Sequence, residues 1–223
     1  MKITFGTDGW RGIIARDFTF DNVRLCAQGV ASYLHQEGLA DRGLVVGYDT
    51  RFASEEFAAE VAGVLAGNGV TSLLCSQAAP TPVVSYNVLH HRASGAAIIT
   101  ASHNPAGWSG FKYKPDYAGS ASPEVIAALE RAIAEAAPQG ARFLPLPQAK
   151  QRSLVQEIDP APPYLHQVAS LVDTRALAGA GLRVVVDAMF GAGAGYLPRL
   201  IAGGATQVLE LHSERNPAFP GMS

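Results

Sequence analysis

Two short stretches of this chain, LVVGY (Leu44–Tyr48) and GAAII (Gly95–Ile99), carry no charge and no alternation of polar with apolar residues. Strands of that kind are buried on both faces, which requires a mostly parallel sheet covered by helices on each side. The flanking sequence supplies the helices. Val23, Cys26, Ala27, Val30 and Leu34 recur as one helical face, with Gly38 as a stop. Ser54, followed by Glu55 and Glu56, reads as an N-cap with an acidic first turn, and that helix runs out at a Gly-Asn-Gly string. VTSLLC and GFKYK read as strands. TPVVSYNVLHH reads as a short helix opening at Pro82, and a further helix is expected from about Ser122 to Ala137. Regular alternation of this kind predicts a doubly wound α/β fold with helices on both faces of a mostly parallel sheet.

This first unit is expected over residues 1–140. Residues 141–160, rich in Pro, Gln and Ala, read as a linker. Residues 161–223 offer a helix near Tyr164 to Val172, a strand, Gly-rich turn and helix in LRVVVDAMFGAGAGYLPRLI, and a strand in TQVLEL. Two strands leave open edges and little core. The expectation is an incomplete second α/β domain, either a truncated part of a longer protein or an edge covered by a partner chain, as in a homo-oligomer.

Composition excludes several partners. The net charge of −2 over 223 residues gives no basis for binding nucleic acid or an anionic membrane surface. No run approaches the roughly 20 apolar residues of a membrane span, and the N-terminus has no signal-peptide stretch. Cys26 and Cys75 read as reduced, buried thiols, and cytoplasm is the location this implies.

Chemistry enters with TASHNP, Thr100 to Pro105, directly after the GAAII strand. Ligands of open α/β sheets bind beyond the carboxyl ends of the strands, and Ser102 falls there. Pro105 keeps Asn104 extended, so the segment is a stiff loop rather than the start of a helix. A serine hydrolase would need the G-x-S-x-G elbow, which is missing, and Ser102 and His103 as neighbours in extended chain point apart. Phosphoryl transfer fits better. A phosphorylated serine carries about −1.5 to −2 charges and needs cations around it. Arg11 in a Gly-rich loop, Arg51 after a strand end, and Lys112 and Lys114 on the following strand are the candidates. Most Lys and Arg are solvated surface residues; these stand out because YDTR and TASHNP both lie at strand carboxyl ends.

FGTDGWRG (Phe5 to Gly12), TASHNP and GFK (Gly110 to Lys112) together resemble the α-D-phosphohexomutase superfamily, in particular its bacterial phosphoglucomutase/phosphomannomutase branch. GYDTR (Gly47 to Arg51) and NPAFPGM (Asn216 to Met222) are similar to further strings of that family, in order along nearly the whole chain. The resemblance implies that Ser102 is the phosphoserine, giving its phosphoryl group to a hexose phosphate and regaining one from the hexose bisphosphate intermediate, which also serves as activator. It implies that Arg11 faces that phosphate, that Lys112 takes part in acid–base work, and that His103 and Asn104 support the loop, His103 by hydrogen bonding. Thr100, Asp49 and Arg51 are implied as scaffold.

The resemblance also implies Mg2+ held between the phosphate on Ser102 and aspartates spaced D-x-D-x-D. That string does not occur here, nor do the family's later sugar- and phosphate-binding loops. The expectation is therefore a phosphohexomutase part that does not turn over substrate alone. A non-catalytic sugar-phosphate or partner-binding module is the alternative. A nucleotide-binding domain is more distant: FGAGAGY has Tyr196 where G-x-G-x-x-G needs glycine.

Overall fold

A computed structural model describes residues 3–6 and 9–222. Thr7 and Asp8 of the FGTDGWRG string lie outside the described residues. The strands are β1 (Trp10–Ile13), β2 (Leu44–Tyr48), β3 (Ser72–Cys75), β4 (Gly95–Ile99), β5 (Trp108–Pro115), β6 (Val155–Ile158), β7 (Arg183–Asp187) and β8 (Gln207–Leu211). The α-helices are α1 (Phe20–Gln36), α2 (Ser54–Gly67), α3 (Thr81–His91), α4 (Pro123–Ala136), α5 (Leu146–Gln151), α6 (Ala161–Leu171), α7 (Thr174–Gly179) and α8 (Tyr196–Ile201).

The main sheet has six strands in the order β1-β5-β4-β2-β3-β6. β4, β2, β3 and β6 run parallel, while β5 and β1 add antiparallel at one edge. β2 and β4 are buried at every residue, as strands covered on both faces must be. α1, α2, α4 and α5 pack on one another, whereas α3 packs with α6; these are the two helical layers. Leu44, Leu65, Ile98, Ile99 and Phe111 are fully buried in the core. The doubly wound, mostly parallel architecture with helices on both faces is therefore what forms.

Three local readings change. Residues 141–160 are not a free linker. The Leu144 amide donates to Gly63 O at 3.0 Å, α5 packs on α2, and β6 pairs parallel with β3, Val155 opposite Ser72. The first sheet thus recruits its last strand from that stretch. Arg11 lies on a strand and not in a loop, because β1 pairs antiparallel with β5 across a hundred residues of chain, Arg11 opposite Gly110. Ser54 is the first residue of α2 rather than its cap. Ala53, at φ 56, precedes it without a side-chain cap bond, and the Ser54 hydroxyl donates instead to Asp49 Oδ1 at 2.9 Å.

In the second unit, β7 and β8 pair in parallel, with Val185 opposite Leu209, and α7 is an additional short helix before β7. Within the described residues this sheet has two strands. No helix of the described residues is long and apolar enough to cross a membrane.

Candidate active site

The ends of β2 and β4 lie side by side, and one hydrogen bond continues their ladder beyond both: the Asp49 amide donates to Ile99 O at 3.1 Å. Asp49–Arg51 and Thr100–Ser102 therefore leave the sheet together. The Thr100 amide donates to Gly110 O at 2.9 Å, tying the base of the serine loop to β5. Ser102 follows at φ 57, in the left-handed region that non-glycine residues seldom occupy. Its amide donates to Thr100 Oγ1 at 2.9 Å, a local side-chain bond that fixes the turn. Its side chain is exposed.

Arg51 holds this loop from inside. It is 4% exposed. Nη1 donates to the carbonyls of Pro105 (2.9 Å) and Trp108 (3.0 Å), and Nη2 to those of Ser102 (2.8 Å) and Asn104 (2.6 Å). Asp49 Oδ2 stands 3.2 Å from Nε, an ion pair by distance whose angle does not make a hydrogen bond. Asp49 Oδ1 accepts from the Arg51 amide at 3.1 Å. Burial lowers the Arg51 guanidinium from its ordinary value, Asp49 opposes this, and the charge of Arg11 adds to the lowering. A guanidinium has five N–H donors. Here Nη1 and Nη2 are spent on carbonyls and Nε faces Asp49, so Arg51 has no donor for a phosphate. It is a loop support and not one of the cations that would bind the transferred group.

Arg11 is exposed on β1, opposite Gly110. A Cβ on Gly110 would stand 3.1 Å from Arg11 Cγ, so the arginine stem crosses the strand where there is no side chain. Lys112 lies two residues along the same strand face, opposite Ile98, and is 5% exposed. Gly9 packs over it: a Cβ there would be 3.1 Å from Lys112 Cγ. Lys114 continues that face, also buried. His103 is exposed, and no hydrogen bond joins its ring to the Ser102 hydroxyl, so no Ser–His dyad forms. Asn104 contributes its carbonyl to Arg51. Trp10 is buried and stacks on Phe18 at 5.0 Å.

Ser102 opens onto two clefts. One, of about 310 Å³, is bounded by Thr100, the start of α3 at Thr81 and Pro82, and Gly191 and Gly193. The other, of about 440 Å³, is bounded by His103, Pro105, Met189 and Met222. Gly191 and Phe219 line both. Neither was visible as a site residue in the sequence, since the second unit folds back across about a hundred residues of chain. In the Gly-rich turn the Gly195 amide is already taken, donating to both oxygens of Glu210 at 2.8 and 3.0 Å.

Among the described residues no three His, Cys, Asp or Glu side chains gather as a metal site. Asp49, the carboxylate bonded into the serine loop's support, is committed to Arg51 and Ser54. The described side chains do not compose a magnesium site.

The family model for phosphoglucomutase/phosphomannomutase, alpha/beta/alpha domain I, matches residues 2–139, and that for domain II matches residues 162–223. A phosphoglucomutase from Staphylococcus saprophyticus is 36% identical over 134 residues, 59% of this chain and 24% of that protein. A phosphoglucosamine mutase from Mycobacterium sp. strain KMS is 33% identical over 217 residues, 97% of this chain and 47% of that protein. A solved structure of a candidate phosphomannomutase from Thermus thermophilus superposes with a TM-score of 0.86 at 35% identity, covering 99% of this chain and 48% of that one. The chain spans about a quarter to a half of the length of the curated relatives it matches.

Proposed function

We propose that this chain, which belongs to the phosphoglucomutase/phosphomannomutase family, carries the phosphoryl-accepting serine of a phosphohexomutase. Relatives named for glucose, glucosamine and mannose phosphates share the hexose phosphate class, and that is the substrate class proposed. The bond from phosphorus to a sugar oxygen breaks as the bond to Ser102 Oγ forms. The serine proton leaves to a base, and the sugar oxygen gains a proton. In the reverse sense Ser102 returns the group to the other sugar hydroxyl, which interconverts hexose 1-phosphate and 6-phosphate. Such a transfer depends on in-line placement and on compensation of charge. Arg11 supplies the compensating guanidinium, Lys112 carries the proton, and Thr100, Asn104, Asp49 and Arg51 keep the loop in place. His103 is a loop residue at the cleft mouth.

The observation that carries this reading is the hold on the serine loop. Arg51 grips the carbonyl of an exposed serine set in a strained conformation and those of the residues that follow it, an arrangement that presents a hydroxyl and leaves its surroundings open. Mg2+, with hexose bisphosphate as activator, belongs to the proposal for the whole protein; its carboxylate ligands are not among the described side chains. Incubation with glucose 1,6-bisphosphate and Mg2+, followed by intact-mass analysis, is expected to add the mass of one phosphoryl group, lost in Ser102→Ala. No added mass overturns the reading. A second reading, a module that binds a sugar phosphate without transferring it, is favoured by the lack of a carboxylate cluster among the described residues. It predicts bisphosphate binding with no added mass.

A further inference from the structure

The corner that holds the serine loop is itself held from the second unit. Thr50 Oγ1 donates to Phe190 O at 2.8 Å, a buried bond across 140 residues of chain. Phe190 and the residue before it, Met189, both sit at positive φ, 56 and 53. Such strain persists only where the surroundings fix it, and the Phe190 amide is fixed by His212 O at 2.8 Å. Arg215 reaches the same corner from the other side. Its Nε donates to Thr50 O and its Nη2 to Arg51 O, each at 3.2 Å. The Phe219 ring lies 5.4 Å from the Arg51 guanidinium carbon, within cation–π range.

We propose that Thr50 and Arg215 are positioning residues, a latch through which the second unit sets the pose of Ser102. The coupling runs through covalent and hydrogen-bonded steps already described. Phe190 holds the Thr50 hydroxyl and Arg215 the Thr50 and Arg51 carbonyls, Arg51 extends from that backbone into the serine loop, and its fork sets the carbonyl of Ser102 and those of Asn104, Pro105 and Trp108 after it. If the second unit moves away, the Thr50 hydroxyl loses its acceptor, the Thr50 carbonyl loses Arg215, and the Arg51 carbonyl keeps only the Ser54 amide. The Arg51 side chain then has a looser base, and Ser102 relaxes out of the left-handed region. The consequence for catalysis rests on the phosphoryl-transfer reading above; the mechanical coupling does not.

Amide hydrogen exchange read by mass spectrometry tests the coupling directly. The reporters are the amides of Ser102, bonded to Thr100 Oγ1, of Asn104, bonded to Ala101 O, and of Trp108, bonded to Pro105 O. Arg215→Ala and Thr50→Val are each expected to exchange these amides about tenfold faster, the scale of one modest hydrogen bond, while β2 and β4 keep their rates. Arg215→Lys should recover part of the protection. Unchanged exchange over residues 102–108 overturns the latch, and so does faster exchange spread evenly into β2 and β4. The same variants should load Ser102 from glucose 1,6-bisphosphate more slowly, and wild-type loading in them overturns the role in transfer. No loading in the unaltered chain, with the exchange coupling intact, supports the latch and sinks the transfer reading instead.

Discussion

Arg51 shows how a buried cation serves a loop. Its charge is taken out of water, which is costly, and the compensation is a fork whose donors meet backbone carbonyls from Ser102 to Trp108. Lysine has the charge but not the planar spread of donors. Arg51→Lys is therefore expected to cost about 3 kcal/mol, read as a lowered urea midpoint, because each lost bond to a charged group is worth about 1.5–3 kcal/mol and the ammonium recovers some of them. A midpoint equal to that of the unaltered protein would show that the fork geometry is irrelevant. Gly110 is the second residue where atoms decide. A Cβ there would stand 2.5 Å from Thr100 O and 2.9 Å from Trp10 O, both backbone. Gly110→Ala must push β1 or β4 away from β5 and displace the Arg11 stem, so Ser102 loading should fall at least tenfold with a stability loss of about 1–3 kcal/mol; loading at the original rate would contradict the placement of Arg11 across this glycine. The serine and its flanking string were legible in the sequence because the loop is local. The use of Arg51 was not, since whether a guanidinium meets a phosphate or a carbonyl depends on which backbone folds beside it.

At the scale of elements, α2 carries its own explanation for the fate of residues 141–160. Gly63 and Gly67 stand one turn apart and leave a groove. A Cβ on Gly67 would lie 2.7 Å from Arg142 C and O, and one on Gly63 would lie 3.0 Å from Leu144 O. Arg142 to Leu144 fill that groove, and the Arg24 guanidinium sits 4.8 Å over the Phe143 ring. Alanine normally favours a helix by about 0.8–1 kcal/mol over glycine. At Gly67 the obstructing atoms are backbone, so the clash wins. Gly67→Ala is expected to lift the segment and speed tryptic cleavage after Arg142 several-fold; cleavage no faster than in the parent would show that the groove does not hold the segment. This also explains what sequence reading could reach. LVVGY and GAAII announced themselves because a strand buried on both faces needs no partner to be recognised. VQEI did not: β6 has exposed residues on one edge of the sheet, and its identity as a strand comes from the open side of β3, which composition does not encode. Pro and Ala made the stretch look like a spacer, while the glycines that bind it lie eighty residues earlier.

For the whole molecule, the two cysteines report on the core from two layers. Cys26 lies in α1 and Cys75 at the end of β3, at 0% and 1% exposure. Burial pushes the Cys75 thiol from its ordinary 9.0 up to about 12, and it pushes Cys26 up as well. The thiolate is the reactive form, so the folded protein should not react with a disulfide reagent at pH 8 except as fast as it opens. The sign of the pH effect follows from the same burial. A thiol whose folded pKa is raised above its unfolded value contributes stability that is fully present below about 9 and is lost as pH climbs towards 12, by about 1.4 kcal/mol for each unit above the unfolded pKa. Tyr48 and Tyr196, also pushed up to about 12 chiefly by burial, act in the same direction above their ordinary 10.0. The urea midpoint should therefore fall between pH 9 and pH 10.5, and Cys75→Ala should flatten that fall. Prompt modification of either thiol in the folded protein, or a midpoint independent of alkaline pH, would mean that the sheet and the α1 layer do not close over these side chains as they do here.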